Sequence, residues 1–501
     1  MTDLLLLDGG TGGDRDLLGG KAAGIDRFVA LGAPTPPAFV VTTEVCRQYY
    51  RESRRVPAQV WARLPDLVRG LERATGRTFG RGPRPLLLSV RSGAAVSMPG
   101  MMDTVLNVGL TPEIEPALGP HGADTRRRFT GQFEEVVGGQ PPADPWDQLR
   151  MAITAVLESW MSPRAVAYRT RQGLGHEAGT AVTVQAMVFG NRDGRSGTGV
   201  VFSRDPVGGG AEVYGEWLPG GQGEELVAGR ADARPLGDLR AVLPGAYREL
   251  REWVRILERD GRDVQDVEFT VESGTLWLLQ SRVAKRSPEA AVRHAVAMAR
   301  EGLISREEAL ARVEHVGALL RPVIEPGAAA AGTVLARGKP AGPGVGIGVV
   351  AGDTVAAQGE VVLARRTTDP RDVPVMAVAQ AVVTELGGST SHAAVVCREL
   401  GVPCVVGCGS GALTALDGQL VTVDGSSGLV YAGALPTVRG GIGVEADLAV
   451  LAEWARAAPD LPGARRFLGS AAIPPGDSSG SARTAPENVR RTDLSNATDA
   501  L

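Results

Sequence analysis

Residues 387–407 read GGSTSHAAVVCRELGVPCVVG. Gly387 and Gly388 permit a close backbone approach that a side chain would block. Thr390 or Ser391 offers an oxygen suited to an N-cap, and HAAVVCREL then continues as a helix until Gly401 and Pro403 end it. The spacing places His392 in the first helical turn, where unpaired N–H groups point outward and the dipole is positive. That setting disfavours imidazolium, keeps the ring nucleophilic, and welcomes the dianion formed if the ring takes up a phosphoryl group. An ordinary capped helix with an incidental surface histidine fits the same residues equally well.

Around this helix, residues 332–433 are rich in Val, Gly and Ala and break into short apolar runs: GVGIGVVAG, GEVVLARR, AQAVVTE, PCVVGC, QLVTVDG and GLVYAG. They predict a compact β-rich domain. PVIEPGAAAAG before it reads as a linker. ADLAVLAEWARA after it reads as a helix within an extension over 434–469, and the polar residues 470–501 read as a disordered tail. Upstream, residues 1–320 mix helices and strands. GGKAAGIDRFVALG is a Gly-rich turn opening a helix, with Ile25, Phe28, Val29 and Leu31 near helical spacing. LLLSVRSGAAVSMPGMMDTVLNVG is a strand entering a Gly/Met-rich loop. Residues 125–172 read as helices, AVTVQAMVFG and TGVVFSRDP as strands joined by NRDGRSG, and DVEFTVES with TLWLLQSR as a strand pair turning at Ser273-Gly274. Residues 287–319 read as a helix pair broken at EGLIS. The expected fold class is α/β (α+β).

A chain of 501 residues exceeds one hydrophobic core, so more than one domain is expected. Its 53 basic and 57 acidic residues give a net charge of −4, without the basic excess that nucleic-acid binding needs. No apolar run reaches the roughly 18 residues of a membrane span. MTDLLLLDGG lacks the basic start and cleavage site of a signal peptide and reads as a first strand. Four cysteines make no disulfide framework, which fits a reducing cytoplasm. Only Lys21, Lys285 and Lys339 among the basic residues are lysines. At those positions the chain uses a compact point charge in place of the planar arginine fork.

These motifs together resemble the family of pyruvate phosphate dikinase, phosphoenolpyruvate synthase and related dikinases. TSHAAVVCRELGVPCVVG is similar to its phosphohistidine signature. LLGGKAAGIDRFVALGAPTPPAFVVTTEVCRQY, SVRSGAAVSMPGMMDTVLNVGL, GTAVTVQAMVFGN, SGTGVVFSRDP, YGEWLPGGQGEELVAGR and DVEFTVESGTLWLLQSR are similar, in order, to its nucleotide-binding domain. The resemblance implies an ATP-grasp-like nucleotide-binding domain over 1–320 and a β-rich swivelling phosphohistidine domain over 332–433. It implies that His392 carries the phosphoryl group and that Thr390 matches a regulatory phosphorylation site of some members. It places Lys21, Arg91, Gly100, Met101, Asp103, Thr104, Gln185, Met187, Val188, Glu268, Gln280 and Arg282 at ATP, with Arg91 and Arg282 catalytic beside His392.

The residue types suit that assignment. Phosphoryl transfer needs positioning and charge neutralisation more than covalent chemistry. Lys21 and Arg91 supply cations for a triphosphate, and the loop 97–104 supplies exposed amides. Asp266 and Glu268 alternate on one strand, so they share a face suited to Mg²⁺, with Gln280 and Arg282 on the paired strand. Val264, Val267, Phe269 and Val271 around them point to a covered sheet. The hinge 185–188 would offer backbone groups to adenine. A structural salt bridge for Arg91, core filling for MPGMM and surface roles for Glu224 and Glu225 are the competing readings. GPGVGIG at 342–348 has Gly-x-Gly spacing but no following helix, and it reads as a strand entry. The spacing of Cys397, Cys404 and Cys408 is not a zinc pattern. His121, His176, His294 and His315 belong to no motif.

The family's full-length members continue into an α/β barrel for pyruvate and phosphoenolpyruvate. VEADLAVLAEWARA resembles the helix leading toward it, and the residues after Gly433 are too few for a barrel. The expected function is a dikinase-type phosphotransferase. It would use ATP, Mg²⁺ and phosphate to phosphorylate His392, release AMP and pyrophosphate, and pass the phosphoryl group to pyruvate with a separate barrel protein. Transfer to another small molecule or protein, and a non-catalytic ATP-binding module, are the alternatives. The module is disfavoured because Lys21, Arg91, Asp266, Glu268, Gln280, Arg282 and His392 are all present.

Overall fold

A computed structural model describes residues 3–470 apart from 97, 99–100, 228, 230, 232, 314–320, 353–359, 370–371 and 441–442. The N-terminal part holds two five-stranded sheets. The first runs in the order Leu4–Leu6, Ala38–Val41, Ala181–Ala186, Leu88–Gly93, Thr104–Val108, with every pair antiparallel. Ala38–Val41 and Ala181–Ala186 are buried at every residue, as strands covered on both faces must be. One face packs against helices through Phe39, Val90, Phe129 and Val156. The other meets the helix Arg15–Ala30 through Leu18, Ala22 and Ile25.

The second sheet runs Arg234–Pro235, Tyr214–Pro219, Gly197–Phe202, Gln265–Glu272, Thr275–Val283. Its last two strands form the expected hairpin. Ser273 (φ 52°) and Gly274 (φ 85°) both take the left-handed conformation that a tight two-residue turn requires. The strands around NRDGRSG do not pair with each other. Ala181–Ala186 already has a neighbour on each edge, so the chain leaves it for the second sheet.

The helix Arg15–Ala30 touches strands of both sheets and fixes the cleft between them. Gly19 (φ 72°) kinks its first turns, and Gly20 N–H donates to Ala94 O at 2.9 Å. A Cβ at Gly19 would lie 1.9 Å from Gly93 O, so the two glycines are what lets Lys21 approach the adjoining strand.

The second domain is an eight-stranded mixed sheet with three consecutive parallel pairings, Val345–Ala351 to Val361–Arg365 to Ala381–Thr384 to Cys404–Val406. The helix His392–Leu400 packs Ala393, Ala394 and Cys397 against Leu363, Val382 and Cys404. It ends at Gly401 in the left-handed conformation (φ 70°). The linker before this domain is not a lone flexible stretch. Arg321–Ile324 pairs with Thr437–Gly440, so entry and exit form one antiparallel ribbon. Beyond it, Glu445–Ala457 and Pro462–Ser470 fold back on Pro288–Arg300 and Arg306–Ala311, burying Val296, Leu310, Leu451, Trp454 and Phe467 together. Of the 434–469 extension, Thr437–Gly440 therefore belongs to the ribbon, and the helices from Glu445 onward belong to the helical platform that ends the first domain. The tail expected to be disordered, past residue 470, lies outside the described residues. Among those described, no helix is long and apolar enough to cross a membrane.

The Gly19 contact yields a prediction. Gly19→Ala should destabilise the chain by about 2 kcal/mol, through a strained φ and a clash with a backbone carbonyl. A thermal melt of the variant beside Gly20→Ala checks this, and equal melting temperatures would contradict it.

Candidate functional site

Lys21 sits inside the helix Arg15–Ala30, beyond the Gly19 kink, and its Nζ donates to Ser92 O at 2.7 Å. Burial, followed by Arg91, lowers its pKa to about 8, with Glu268 opposing and Arg282 assisting. Lys21 thus feels charges from both sheets at once. Arg91, on Leu88–Gly93, donates from Nη2 to Gln185 Oε1 at 2.6 Å, while its Nε is buried without a hydrogen-bond partner. Gln185 donates in turn from Nε2 to Pro36 O at 3.0 Å, so its side chain is a bracket for the guanidinium. Across the cleft, Asp266 stands opposite Arg282 and Glu268 opposite Gln280 in register. Arg282 Nε donates to Asp266 Oδ2 at 2.8 Å, and Asp266 raises the Arg282 pKa. The other oxygen, Asp266 Oδ1, is buried and has no hydrogen-bond partner.

An orphaned donor on one wall and an orphaned acceptor on the other mark a place for a ligand with both anionic and cationic character. Magnesium bound to phosphates has that character. It uses one or two protein carboxylates and takes its other oxygens from water and phosphate. Asp266 and Glu268 fit this need, and among the described residues no group of three or more His, Cys, Asp or Glu forms a cage.

Other predicted residues are placed differently. Asp103 is ion-paired with Arg164, whose Nε also donates to Met101 O at 3.2 Å. Burial raises the Asp103 carboxyl, with Arg164 opposing. Thr104 pairs with Arg91 in the first sheet. Gly100 lies outside the described residues. In the hinge, Met187 N–H donates to Leu87 O at 2.9 Å and Met187 O accepts from Arg77 at 3.0 Å, so both backbone groups are already engaged. The hinge's offer to a base is narrower than the sequence suggested, and Val188 is half-buried beside it. Glu224 and Glu225 both pair with Arg128, at 3.4 and 2.9 Å, tying the second sheet's side of the cleft to the helix Gly122–Val137.

His392 is the first residue of its helix and half-buried; Ser391 stands at the N-cap position, but its Oγ makes no capping hydrogen bond. Its Nδ1 is 3.0 Å from Thr368 Oγ1. Burial pushes the imidazole below its ordinary pKa, against the opposing pull of Asp369 and Asp372. Thr390 contributes no cap. Its N–H and Oγ1 both donate to Glu216 Oε2, at 3.2 and 2.8 Å, across to the second sheet. Lys339 Nζ donates to Glu216 Oε1 at 2.9 Å and to Ala233 O at 3.0 Å. A Cβ on Gly388 would lie 2.0 Å from Glu216 Oε2, which gives the second glycine of the pair its reason. Lys285 pairs with Glu399 at 2.7 Å across the same interface. Sequence reading missed Thr368, Glu216 and Arg164. Each meets its partner only through the fold, and Glu216 stands 174 positions from Thr390.

Comparison with known proteins gives two family matches. Residues 52–235 match the pyruvate phosphate dikinase AMP/ATP-binding domain, and residues 357–428 match the mobile domain of PEP-utilising enzymes. Arg91 and Gln185 fall in the first stretch and His392 in the second. The chain is 38% identical to pyruvate, phosphate dikinase of Rhizobium meliloti (strain 1021), over 89% of this chain and 59% of that protein. It is 40% identical to pyruvate, phosphate dikinase 2 of Zea mays, over 84% and 56%. It is 37% identical to pyruvate, phosphate dikinase of Clostridium symbiosum, over 84% and 57%. The chain thus spans a little over half the length of these relatives. Within that span it carries, in order, a pyruvate phosphate dikinase AMP/ATP-binding domain and the mobile domain of PEP-utilising enzymes.

Proposed function

We propose that this chain is the ATP-charged part of a dikinase-type phosphotransferase, with His392 as the carrier. The observation that supports it most is the cleft, where Lys21, Arg91 and Arg282 face Asp266 and Glu268 and where Arg91 Nε and Asp266 Oδ1 await partners. Lys21 and Arg91 bind and orient the triphosphate, and Arg282, held by Asp266, stabilises charge as it builds on the transferred group. Mg²⁺, held by Asp266 and Glu268, supplies further neutralisation when bound. In the tautomer whose Nδ1–H donates to Thr368 Oγ1, Nε2 keeps its lone pair for attack. Release of AMP requires cleavage between the α and β phosphorus atoms, so the ring first takes a pyrophosphoryl group. Phosphate then removes the terminal phosphoryl as pyrophosphate and leaves phosphohistidine. We propose pyruvate, bound by a barrel protein, as the final acceptor.

The charges acting on His392 come from Asp369 and Asp372 in its own domain, and those on Lys21 from Arg91, Glu268 and Arg282. We propose that loading moves the second domain so that His392 reaches the nucleotide, with the ribbon Arg321–Ile324 and Thr437–Gly440 as the pivot. Thr390 is our proposed regulatory position. A phosphoryl group there would press a dianion against the buried Glu216 carboxylate and release the docked pose.

The reading is tested by separating nucleotides after incubation with ATP and Mg²⁺, with and without phosphate. AMP, up to one per chain, is expected with or without phosphate, and pyrophosphate only with phosphate; ADP as the sole product would refute the dikinase course. Glu268→Ala should slow AMP formation by roughly 10²-fold or more while the chain still folds, and an unchanged rate would remove Glu268 from the site. Lys21 loses its proton above about pH 8 in the unliganded protein. ATP affinity should accordingly fall as pH rises through that value, and Lys21→Met should bind weakly with no such limb. A wild-type affinity flat from pH 7 to 9 would count against Lys21 as a phosphate ligand.

A further inference from the structure

We propose a second anion site, across the second sheet from the cleft, for a small molecule bearing two or more phosphoryl groups. The helix Pro244–Gly261 packs Leu250, Val254 and Leu257 on the sheet face that carries Val267, Phe269 and Val271. Asp266 and Glu268 alternate onto the other face, so the helix lies opposite the cleft. Along this helix Arg251, Arg255 and Arg259 recur every four residues and line a cavity of about 520 Å³.

Two of the three acids lining the cavity, Glu258 and Glu301, are already committed. Arg204, 4% exposed, takes both oxygens of Glu258 at 3.0 and 2.9 Å and both of Glu301 at 2.8 and 2.6 Å. Glu212 reaches only to 4.0 Å from Arg251 and is 94% exposed. Arg251 Nε is buried with no hydrogen-bond partner. Among the described residues Arg255 and Arg259 make no ion pair. On four other helices of the chain an arginine is paired with an acid three residues before it: Arg47 with Glu44, Arg69 with Asp66, Arg127 with Asp124, Arg150 with Asp147. Here Glu252 occupies that position before Arg255 and does not pair with it, so the array departs from the chain's own habit.

Like charges four apart oppose helix formation, and an anion seated between them removes that opposition. Guanidinium forks donate to phosphoryl oxygens two at a time. Eight residues of helix separate the outer arginines by about 12 Å, a span that one phosphate does not bridge and a short polyphosphate chain does.

Tripolyphosphate titrated calorimetrically into the full chain is the probe. Binding is expected to persist in Lys21→Met, which empties the cleft of its central cation, and to weaken about tenfold or more in the double variant Arg255→Gln/Arg259→Gln. Both arginines are exposed, and an unchanged melting temperature verifies that the variant folds. Arg251→Gln provides an independent check on the same site. No binding to the wild type, binding unaffected by the arginine changes, or binding lost only in Lys21→Met would each overturn the proposal. The last result would place the polyphosphate in the nucleotide cleft.

Discussion

The structure depends on holding half-buried cations close together. Lys21, Arg91 and Arg282 come from a helix and two different sheets, and each would repel the others without Asp266 and Glu268 between them. The fold manages this with backbone geometry first. The Gly19 kink lets the helix meet Ala94, the Gln185 amide fixes one guanidinium, and antiparallel register fixes Asp266 against Arg282. What remains unsatisfied, Arg91 Nε and Asp266 Oδ1, is what a nucleotide and its metal can satisfy. Burial lowers the Lys21 pKa to about 8, so the lysine is still a cation near neutral pH and an arriving polyanion extends that charge to higher pH.

The three lysines of an otherwise arginine-based chain lie at linked places. Lys21 is in the cleft, while Lys285 and Lys339 make ion pairs between the two domains. A contact that must form and break favours a point charge, which needs no fixed fork geometry to re-engage. Glu216 concentrates one such contact by holding Lys339, Thr390 and the backbone beside Gly388 within a few ångströms. In the proposed function the double-stranded linker would let the docked domain leave without the helical platform unfolding, because both chain crossings lie in the same ribbon.

Much of this was legible in the sequence where a local pattern carries the physics. Alternation placed Asp266 and Glu268 on one face, Ser273-Gly274 gave the turn, and Ser391 with Gly401 bounded the His392 helix. The strands of the second domain followed from apolar runs between glycines. What was not legible is long-range. Nothing in NRDGRSG says that its flanking strands enter different sheets, since that is decided by which edges are already occupied. The contacts of Gln185 with Arg91 and of Asp103 with Arg164 join residues far apart in the chain, and no local pattern announces them. The return of Glu445–Ala457 onto Pro288–Arg300 depends on complementary apolar faces that no spacing reveals.

The central claim is that one imidazole on the second domain is charged from a nucleotide bound by the first. The most direct measurement is peptide mapping, under alkaline conditions that preserve phosphohistidine, of protein incubated with ATP, Mg²⁺ and phosphate. The account predicts a phosphoryl group on the peptide containing His392, and none in His392→Ala although that variant still binds ATP. A protein that hydrolyses ATP at the same rate with and without His392, and never bears phosphate on that ring, would contradict it.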